Sequence, residues 1–375
     1  MKNVYIALLL TGCTDGKFQY VEDTAEEEEE LVPWWTDISD DIEAIRADND
    51  LPALGGAHIQ EGTVTFLGTS GLRSVDSDVE VTDWDKWHLG SCTKAMTATL
   101  VGTYVDEGLL TWETTLLELF PDVDMHGDYE TVTVAMLLSH YGGTWSSLTS
   151  HSSTWAMMRE DGEVMEQRQQ IVEDVLTDSP EVTPGSDFVY SNAGYIIVGA
   201  ALEELTETSW EEMMQERIFD PLDMNSCGFG AQDPDASLQH PWGHSQDGEA
   251  LNPVTSFGDN PKSLGPAGTV HCNLPDWGNF IIESLNMYRG EPTLVSAEQA
   301  EQIFTVRGAN YSLGWGIYDR TWAGGKVFTH SGSNTMNRAV VWAAPELNEA
   351  YLAVTNISND VASGALDDVV VGMLP

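Results

Sequence analysis

The feature that most constrains this chain is a serine placed three residues before a lysine, at the start of a strongly apolar helical pattern. Gly90, Ser91 and Lys94 precede apolar residues with helical spacing, which Gly108 can end. Because three residues make almost one helical turn, the side chains of Ser91 and Lys94 can meet on one face. The pair predicts a nucleophile beside its base, provided that burial or a nearby cation lowers the pKa of Lys94. By itself the motif also fits a serine N-cap followed by a solvated lysine.

Tyr190 and Asn192 lie at the junction between a loop and another helical pattern. A phenol can shuttle protons, and an amide can orient either Lys94 or a substrate carbonyl. The structural alternative is that Tyr190 packs half-buried and Asn192 caps the helix. The two residues are therefore candidates for proton transfer and for substrate positioning.

A third group of candidates, His330, Ser331, Gly332 and Ser333, stands at the end of a strand pattern. Gly332 would permit a substrate to approach the backbone closely. The backbone N–H groups of Ser91 and Ser333 could then form an oxyanion hole, in which each donor typically supplies about 3 to 4 kcal/mol of transition-state stabilisation. Taken alone, this segment also fits an ordinary turn.

The three segments occur in the order S-C-T-K at 91–94, Y-S-N at 190–192 and H-S-G at 330–332. In this order they resemble the S-x-x-K, Y-x-N and K-T-G motifs of class C β-lactamases and of their esterase and D-aminopeptidase relatives. The resemblance covers residues 53–355 and includes W-H-L-G at 87–90, L-L-S-H at 137–140, P-L-D-M at 221–224, G-P-A-G at 265–268 and G-W-G at 314–316. It implies a β-lactamase/transpeptidase-like fold with an antiparallel sheet, and no cofactor.

The resemblance also implies a mechanism. Ser91 attacks the substrate carbonyl, Lys94 and Tyr190 share the acid and base work, and the amides of Ser91 and Ser333 hold the oxyanion. Asn192 positions the substrate, and water then hydrolyses the acyl-enzyme. Class A β-lactamases fit less well, because they carry S-D-N where this chain has Y-S-N.

The main departure from the family pattern is His330, which stands where the β-lactamases have a lysine. A lysine would anchor a substrate carboxylate, whereas a histidine with an ordinary pKa of ~6.5 is mostly neutral at pH 7. We therefore predict a serine hydrolase of small esters or amides, in which esterase activity exceeds β-lactamase or D-aminopeptidase activity. If His330 contacts Tyr190, the rate should follow the titration of a histidine. The alternative is a catalytically slow binding protein of the cell envelope that keeps the fold.

Hydrophobic periodicity predicts an α/β (α+β) chain, in which one sheet with flanking terminal helices is built from both ends and a mostly helical lobe is inserted. The strands of the sheet are predicted as a hairpin at 54–59 and 63–67 and as three strands at 327–330, 339–342 and 351–355. The helices that flank the sheet are predicted at 34–50 and 360–373. The lobe has helical patterns at 132–138, 162–176, 192–205, 210–218 and 275–287. Residues 231–265 are typical of long loops that border a site. Trp145, Trp242 and Trp315 are candidates for the walls of the substrate pocket.

The first 13 residues contain, in order, the three segments that are typical of a lipoprotein signal: a basic residue, an apolar run and a cysteine box. Lys2 precedes an apolar run at 4–10, too short to span a bilayer, and L-T-G-C at 10–13 resembles the bacterial lipoprotein cleavage box. We predict a signal peptide at 1–12, a lipid on Cys13, an acidic tether at 13–33 and a hydrolase domain at 34–375. The chain would then work in the bacterial cell envelope, in contact with the membrane through the lipid on Cys13. The alternative is a buried strand with an incidental cysteine.

The formal net charge of −46 excludes nucleic acid as a partner, because phosphate backbones would repel such a polyanion. The low lysine content of the chain resembles that of proteins from saline habitats. His240, His244 and His271 could ligate zinc, but the Pro-Trp-Gly between the first two indicates a loop, and we expect no metal. Cys227 and Cys272 are the pair that could form a disulfide, although we expect buried free thiols.

Overall fold

The two ends of the chain are brought together in one sheet. The computed structural model describes residues 33–255 and 258–374, of which those from Trp34 onward form one compact unit. The strands are β1 (Thr36–Asp37), β2 (Ala53–Gln60), β3 (Thr63–Gly71), β4 (Trp87–His88), β5 (Gly228–Phe229), β6 (Val270–Cys272), β7 (Gly316–Arg320), β8 (Gly325–Ser333), β9 (Arg338–Ala344) and β10 (Glu349–Thr355). The helices are α1 (Ser39–Asp48), α2 (Thr93–Asp106), α3 (Leu116–Leu119), α4 (Val134–Leu138), α5 (Ser152–Met158), α6 (Val164–Thr177), α7 (Asn192–Thr206), α8 (Trp210–Met214), α9 (Gly265–Gly268), α10 (Leu274–Tyr288), α11 (Ala297–Phe304) and α12 (Ala362–Met373).

The large sheet has seven strands in the order β1-β3-β2-β10-β9-β8-β7. Its neighbouring strands are antiparallel, except that β1 runs parallel to β3. The hairpin and the three C-terminal strands occupy the segments where the sequence predicts them. The prediction of an antiparallel sheet built from both ends is therefore confirmed. A smaller sheet joins β4, β6 and β5 in that order.

The terminal helices α1 and α12 cover one face of the large sheet. The apolar residues of α12 recur at helical spacing, and Leu366 and Val369 pack with Ile42 of α1 and Tyr351 of β10 in one buried cluster. This is the flanking pair of terminal helices that the sequence predicts.

The other face of the sheet packs against the inserted helical lobe. Its core includes Leu100 of α2, Ile197 of α7 and Phe328 of β8. Helix α7 is buried on all sides over most of its length, because its sequence is apolar all round, and Ser191 caps it by accepting a hydrogen bond from Gly194 N at 3.3 Å. The first turns of α2 and α7, which carry the candidate site residues, are thus fixed by the largest core of the molecule.

Cys227 and Cys272 form a disulfide, so the expectation of free thiols at these positions was wrong. The two cysteines meet because β5, which directly follows Cys227, pairs with β6, which ends at Cys272. Their separation of 45 residues gives no local signal of this contact. Cys92 is a buried free thiol, as expected.

The predicted signal peptide, the lipidation site Cys13 and the acidic tether up to residue 32 lie outside the described residues. Within the part of the chain that is described, no helix is long and apolar enough to cross a membrane.

Removal of the disulfide should destabilise the fold. A bond across 45 residues restricts the unfolded chain by roughly 4 kcal/mol in the chain-entropy treatment. We expect Cys227→Ser/Cys272→Ser to lower the free energy of unfolding by about 2 to 4 kcal/mol in urea titrations. A reductant should lower the free energy of unfolding of the wild type by a similar amount and leave that of the double variant unchanged. Equal stability of the reduced and oxidised wild type would contradict the assignment.

Candidate active site

Ser91 and Lys94 meet at the start of α2, as the spacing predicts. Gly90–Cys92 form one 3₁₀ turn that continues directly into α2. The Lys94 side chain is fully buried, and its Nζ donates to Ser91 Oγ at 3.1 Å, to Asn192 Oδ1 at 2.7 Å and to the carbonyl oxygen of Ala267 at 2.6 Å. Asn192, the first residue of α7, therefore contacts the lysine amine, and the helix cap that it could have supplied comes from Ser191.

Burial controls the charge of Lys94. It lowers the pKa of the amine to about 7, because water is excluded from the ammonium form, while the nearby Cys92 acts weakly in the other direction. The three oxygens that accept from Nζ are neutral groups, a hydroxyl, an amide and a backbone carbonyl. Lys94 can therefore exist as a free amine near neutral pH, with Ser91 Oγ within its reach.

Tyr190 stands over the same amine. Its ring centroid lies 5.0 Å from Lys94 Nζ and 4.2 Å from the centroid of His140. Burial raises the pKa of the Tyr190 phenol above its usual range, and hydrogen bonding with Ser91 offsets part of this rise. The phenol is consequently protonated at neutral pH. The residue still exposes 37% of its surface, so a substrate can reach it.

The third motif on β8 packs directly against the turn that carries Ser91. A Cβ atom on Gly332 would lie 2.8 Å from Ser91 N, and one on Gly90 would lie 2.8 Å from the carbonyl carbon of Ser333. Glycine at both positions therefore permits the two backbones to approach. The Ser333 side chain is engaged elsewhere, since its Oγ donates to Ser358 Oγ at 2.9 Å and accepts from Thr335 N at 2.8 Å.

His330 is buried and uncharged. Its Nδ1 lies 2.7 Å from the carbonyl oxygen of Ser331 and must carry the proton, so Nε2 accepts from the Tyr311 hydroxyl at 2.9 Å. Burial, with a smaller contribution from the charge on Lys94, lowers the pKa of His330 to about 3. Its ring centroid is 6.4 Å from that of Tyr190. The expected histidine titration depended on a contact between His330 and Tyr190, whereas the hydrogen bond of His330 Nε2 is made with Tyr311.

Two further buried groups, Tyr311 and His140, complete the site, and no motif in the sequence predicts their roles. Tyr311 bonds to His330 and packs 4.9 Å, between ring centroids, from His140. The Nδ1 atom of His140 accepts from Ser191 N at 3.1 Å, which connects L-L-S-H to the start of α7. Burial holds the pKa of His140 well below its usual value. The resemblance includes His140 without assigning it a place, and nothing local marks Tyr311.

Asp259 connects the two segments that would form the oxyanion hole. It is buried, with Oδ1 3.1 Å from His88 Nε2 and 2.8 Å from Asn334 Nδ2. His88 Nδ1 in turn accepts from Gly90 N at 3.1 Å, next to Ser91. The interactions with His88 and Asn334 lower the pKa of Asp259 against the effect of burial. The turn before Ser91 and the turn after Ser333 are thus held by one carboxylate.

None of the three predicted pocket-wall tryptophans lines the groove that opens beside Tyr190 and His330. Trp315 is in the core, within 4.8 Å of Phe328 between ring centroids, so its assignment to the substrate pocket was wrong. Trp145 is also buried, and its ring stacks on His151. The carbonyl oxygen of Trp145 accepts from Ser191 Oγ at 2.6 Å. Trp242 donates to Asp233 at 2.8 Å.

The three candidate zinc ligands bond to different parts of the backbone. The His240 ring accepts from Lys86 N, His244 lies between Val75 N and the carbonyl of Asn356, and His271 lies 2.9 Å from the carbonyl of Gly230. Among the described residues, no group of three or more His, Cys, Asp and Glu side chains could hold a metal ion.

A groove of about 640 Å³ opens beside the site. Two of the predicted substrate-binding residues, His330 and the exposed Ser331, line it together with Tyr190. Its other lining residues are Phe188, Tyr311, Gly316, Tyr318, Arg320, Thr329, Arg338, Ala339, Val340, Trp342, Ser363, Leu366 and Asp367.

Comparison with known proteins places this arrangement in a family. The model of the beta-lactamase family matches residues 38–372. Penicillin-binding protein 4 of Amycolatopsis lactamdurans is 28% identical over 311 residues, which are 78% of this chain and 77% of the relative. Protein flp of Staphylococcus aureus is 22% identical over 310 residues, 80% of this chain, which spans 59% of that relative.

A solved structure shows the same fold. The octameric penicillin-binding protein homologue from Pyrococcus abyssi superposes with a TM-score of 0.71 and 24% identity, over 85% of this chain and 72% of the homologue. Since the family model covers almost the whole described chain and the sheet, lobe and buried Ser91–Lys94 pair match the class C pattern, this chain belongs to the beta-lactamase family of serine hydrolases.

Proposed function

We propose that this protein hydrolyses small esters or amides through an acyl-enzyme on Ser91, and that it prefers esters to β-lactams. The observation that carries the proposal is the buried Lys94, whose Nζ lies 3.1 Å from Ser91 Oγ with a pKa lowered to about 7. A free amine at that place is the base that a serine hydroxyl needs in order to attack a carbonyl.

Each group has a role in the sequence of proton transfers. Lys94 takes the proton of Ser91 as Oγ attacks the carbonyl carbon, and the N–H groups of Ser91 and Ser333 hold the oxyanion. Tyr190, whose raised pKa keeps it protonated, donates to the leaving group as the acyl bond breaks, and the Lys94 ammonium then returns a proton to the phenolate. Water attacks the acyl-enzyme next, with the same pair removing its proton and returning one to Ser91 Oγ.

The preference for esters rests on the state of His330. A buried neutral imidazole, bonded to Tyr311 and to the carbonyl of Ser331, offers no positive charge beside the scissile bond. A β-lactam carries a carboxylate close to its reactive ring and would lose the anchor that the family lysine supplies. A neutral ester does not need that anchor.

We propose that the enzyme works outside the reducing cytoplasm, held to the envelope by a lipid on Cys13. The Cys227–Cys272 disulfide supports this location, because such bonds persist in oxidising compartments.

Loss of the nucleophile should abolish turnover. We expect Ser91→Ala to remove hydrolysis of 4-nitrophenyl acetate and labelling by a fluorophosphonate while the thermal unfolding temperature is kept, because the change removes one small polar atom.

Lys94→Ala and Tyr190→Phe should each lower kcat/KM by several orders of magnitude, and the double variant should lose little more, because the two residues act as a unit. The matched control is Ser150→Ala, an exposed serine outside the site. Activity of Ser91→Ala within tenfold of the wild type would refute the proposal, and a wild type that is labelled but not turning over would favour the slow binding protein.

The pH dependence should report Lys94. Since the base must be unprotonated, kcat/KM should rise as the pH increases through about 7, the pKa to which burial lowers this amine. His330 should add no inflection above pH 5, because burial lowers its pKa to about 3. His330→Gln is the discriminating variant: the inflection near pH 7 should persist in its pH profile, and its disappearance would assign the titration to the histidine.

Substrate preference tests the role of His330. We expect kcat/KM for the best short-chain 4-nitrophenyl ester to exceed that for nitrocefin by at least about tenfold, the ratio that loss of one charge-assisted hydrogen bond produces. His330→Lys should lower the ratio of kcat/KM for the ester to kcat/KM for nitrocefin, because the lysine supplies a positive charge for the β-lactam carboxylate. Nitrocefin turnover above that of the best ester would contradict the ester preference and leave the acyl-enzyme mechanism standing.

A further inference from the structure

We propose that Asp259 is a positioning residue of the reaction: through His88 and Asn334 it sets the distance between the two N–H groups of the oxyanion hole. The inference rests on the proposed function, because it concerns the oxyanion that forms when Ser91 attacks a carbonyl. It assigns a role in the chemical step to three residues that lie outside the three catalytic motifs.

The two donors of the oxyanion hole belong to segments that are brought together by tertiary structure alone. Ser91 lies in the turn before α2, and Ser333 is the last residue of β8. The segments are in direct contact, since a Cβ atom on Gly90 would overlap Ser333 N. An oxyanion needs both donors within about 2.7 to 3.1 Å of one point, so a small change in their separation weakens the stabilisation of the transition state.

His88 restrains the segment before the nucleophile. Its Nδ1 accepts from Gly90 N at 3.1 Å, so in the neutral ring Nε2 carries the proton, and this atom lies 3.1 Å from Asp259 Oδ1. Gly90 has a φ of +50°, in the left-handed region, and glycine is also the residue with the largest choice of other conformations. The hydrogen bond to Gly90 N therefore restrains the flexible joint before the peptide that carries Ser91 N.

Asn334 restrains the turn that follows β8. Its Oδ1 accepts from Met336 N at 3.1 Å and from Asn337 N at 2.8 Å, while its Nδ2 donates to Asp259 Oδ1 at 2.8 Å. Thr335, within this turn, has a φ of +73°, which is unfavourable for a β-branched residue and persists only where neighbouring contacts enforce it. The side chain of Asn334 supplies two of those contacts, so the end of β8 depends on the position of this amide.

One carboxylate oxygen joins the two segments. Asp259 is buried, and His88 Nε2 and Asn334 Nδ2 both lie against its Oδ1. Burial alone would raise the pKa of Asp259, but the interactions with His88 and Asn334 lower it, so the carboxylate is ionised. Hydrogen bonds to an ionised oxygen are shorter and stronger than those between neutral groups. Two contacts that share one such atom fix the separation of the segments that make them.

A role in stability alone does not account for a carboxylate at this place. Removing a carboxylate from water is costly, and apolar residues of similar volume often stabilise a fold equally well. A negative charge near a forming oxyanion also opposes the reaction electrostatically. The property that Asp259 supplies, and that an apolar residue lacks, is a directional link to His88 and to Asn334. We therefore assign its effect to the geometry of the oxyanion hole.

The test separates kcat from KM. Asp259→Ala removes both contacts, and we expect its kcat for 4-nitrophenyl acetate, per folded molecule, to fall about 100-fold while KM changes less than about threefold, because the oxyanion exists only after the attack. Asp259→Asn keeps an acceptor oxygen at the same place and should retain kcat within about tenfold. The affinity for phenylboronic acid, whose tetrahedral adduct on Ser91 places an oxygen in the oxyanion hole, should fall together with kcat.

His88→Asn tests the same link from the other segment, and it decides the question if Asp259→Ala does not fold. The asparagine oxygen can take the place of Nδ1 and accept from Gly90 N, but the side chain is too short to reach Asp259. Its kcat should fall at least about tenfold. Combining it with Asp259→Ala should cause little further loss, because both changes break one link.

Glu283→Ala is the matched control. Glu283 is also a buried carboxylate that holds a loop, since it accepts from Thr293 N at 2.7 Å, from Thr293 Oγ1 at 2.8 Å and from Leu294 N at 3.0 Å. Its removal should lower the thermal unfolding temperature, as removal of Asp259 should, and leave the kcat of the folded enzyme unchanged.

Three results overturn the inference: an unchanged kcat in either His88→Asn or a folded Asp259→Ala, a rise in KM in place of the fall in kcat, or an equal fall in kcat in Glu283→Ala. Ester turnover that depends on Ser91 would still support the proposed function. If the wild type hydrolyses no ester, the proposed function fails, and calorimetric binding of phenylboronic acid decides the inference. Weaker binding to Asp259→Ala and His88→Asn than to Glu283→Ala supports it, and equal binding, or none to the wild type, overturns it.

Discussion

The site depends on the burial of one amine that has no acidic partner beside it among the residues that the structure describes. Lys94 is fully enclosed, and the groups that accept from Nζ are the oxygens of Ser91, Asn192 and Ala267. A carboxylate in any of these places would stabilise the ammonium form and raise the pKa, and the lysine would then be unable to take a proton from serine. The chain has 61 acidic residues, so the neutral surroundings of this amine are a specific property of the fold.

These surroundings are assembled from segments that are far apart in the sequence. Thr97 Oγ1 donates to the carbonyl of Pro266 at 2.7 Å, and Thr93 Oγ1 accepts from Val270 N at 3.1 Å, so hydrogen bonds join the first turns of α2 to α9 and to the start of β6. Helix α9 also supplies the carbonyl of Ala267 to Lys94. The start of α7 brings Asn192 from another side. The position of the amine is thus determined by three elements packed together, and its low pKa follows from that packing.

The sequence predicted the parts of the site that depend on short-range geometry. Ser91 and Lys94 are one helical turn apart, so their contact follows from helix formation alone. The state of His330 could not be read in this way, because its pKa is lowered by burial among residues such as Tyr311 that no local pattern brings to it. The Trp315 error has the same origin: a large apolar ring fits a pocket wall or a core equally well until its neighbours are known. The disulfide likewise required the pairing of β5 with β6.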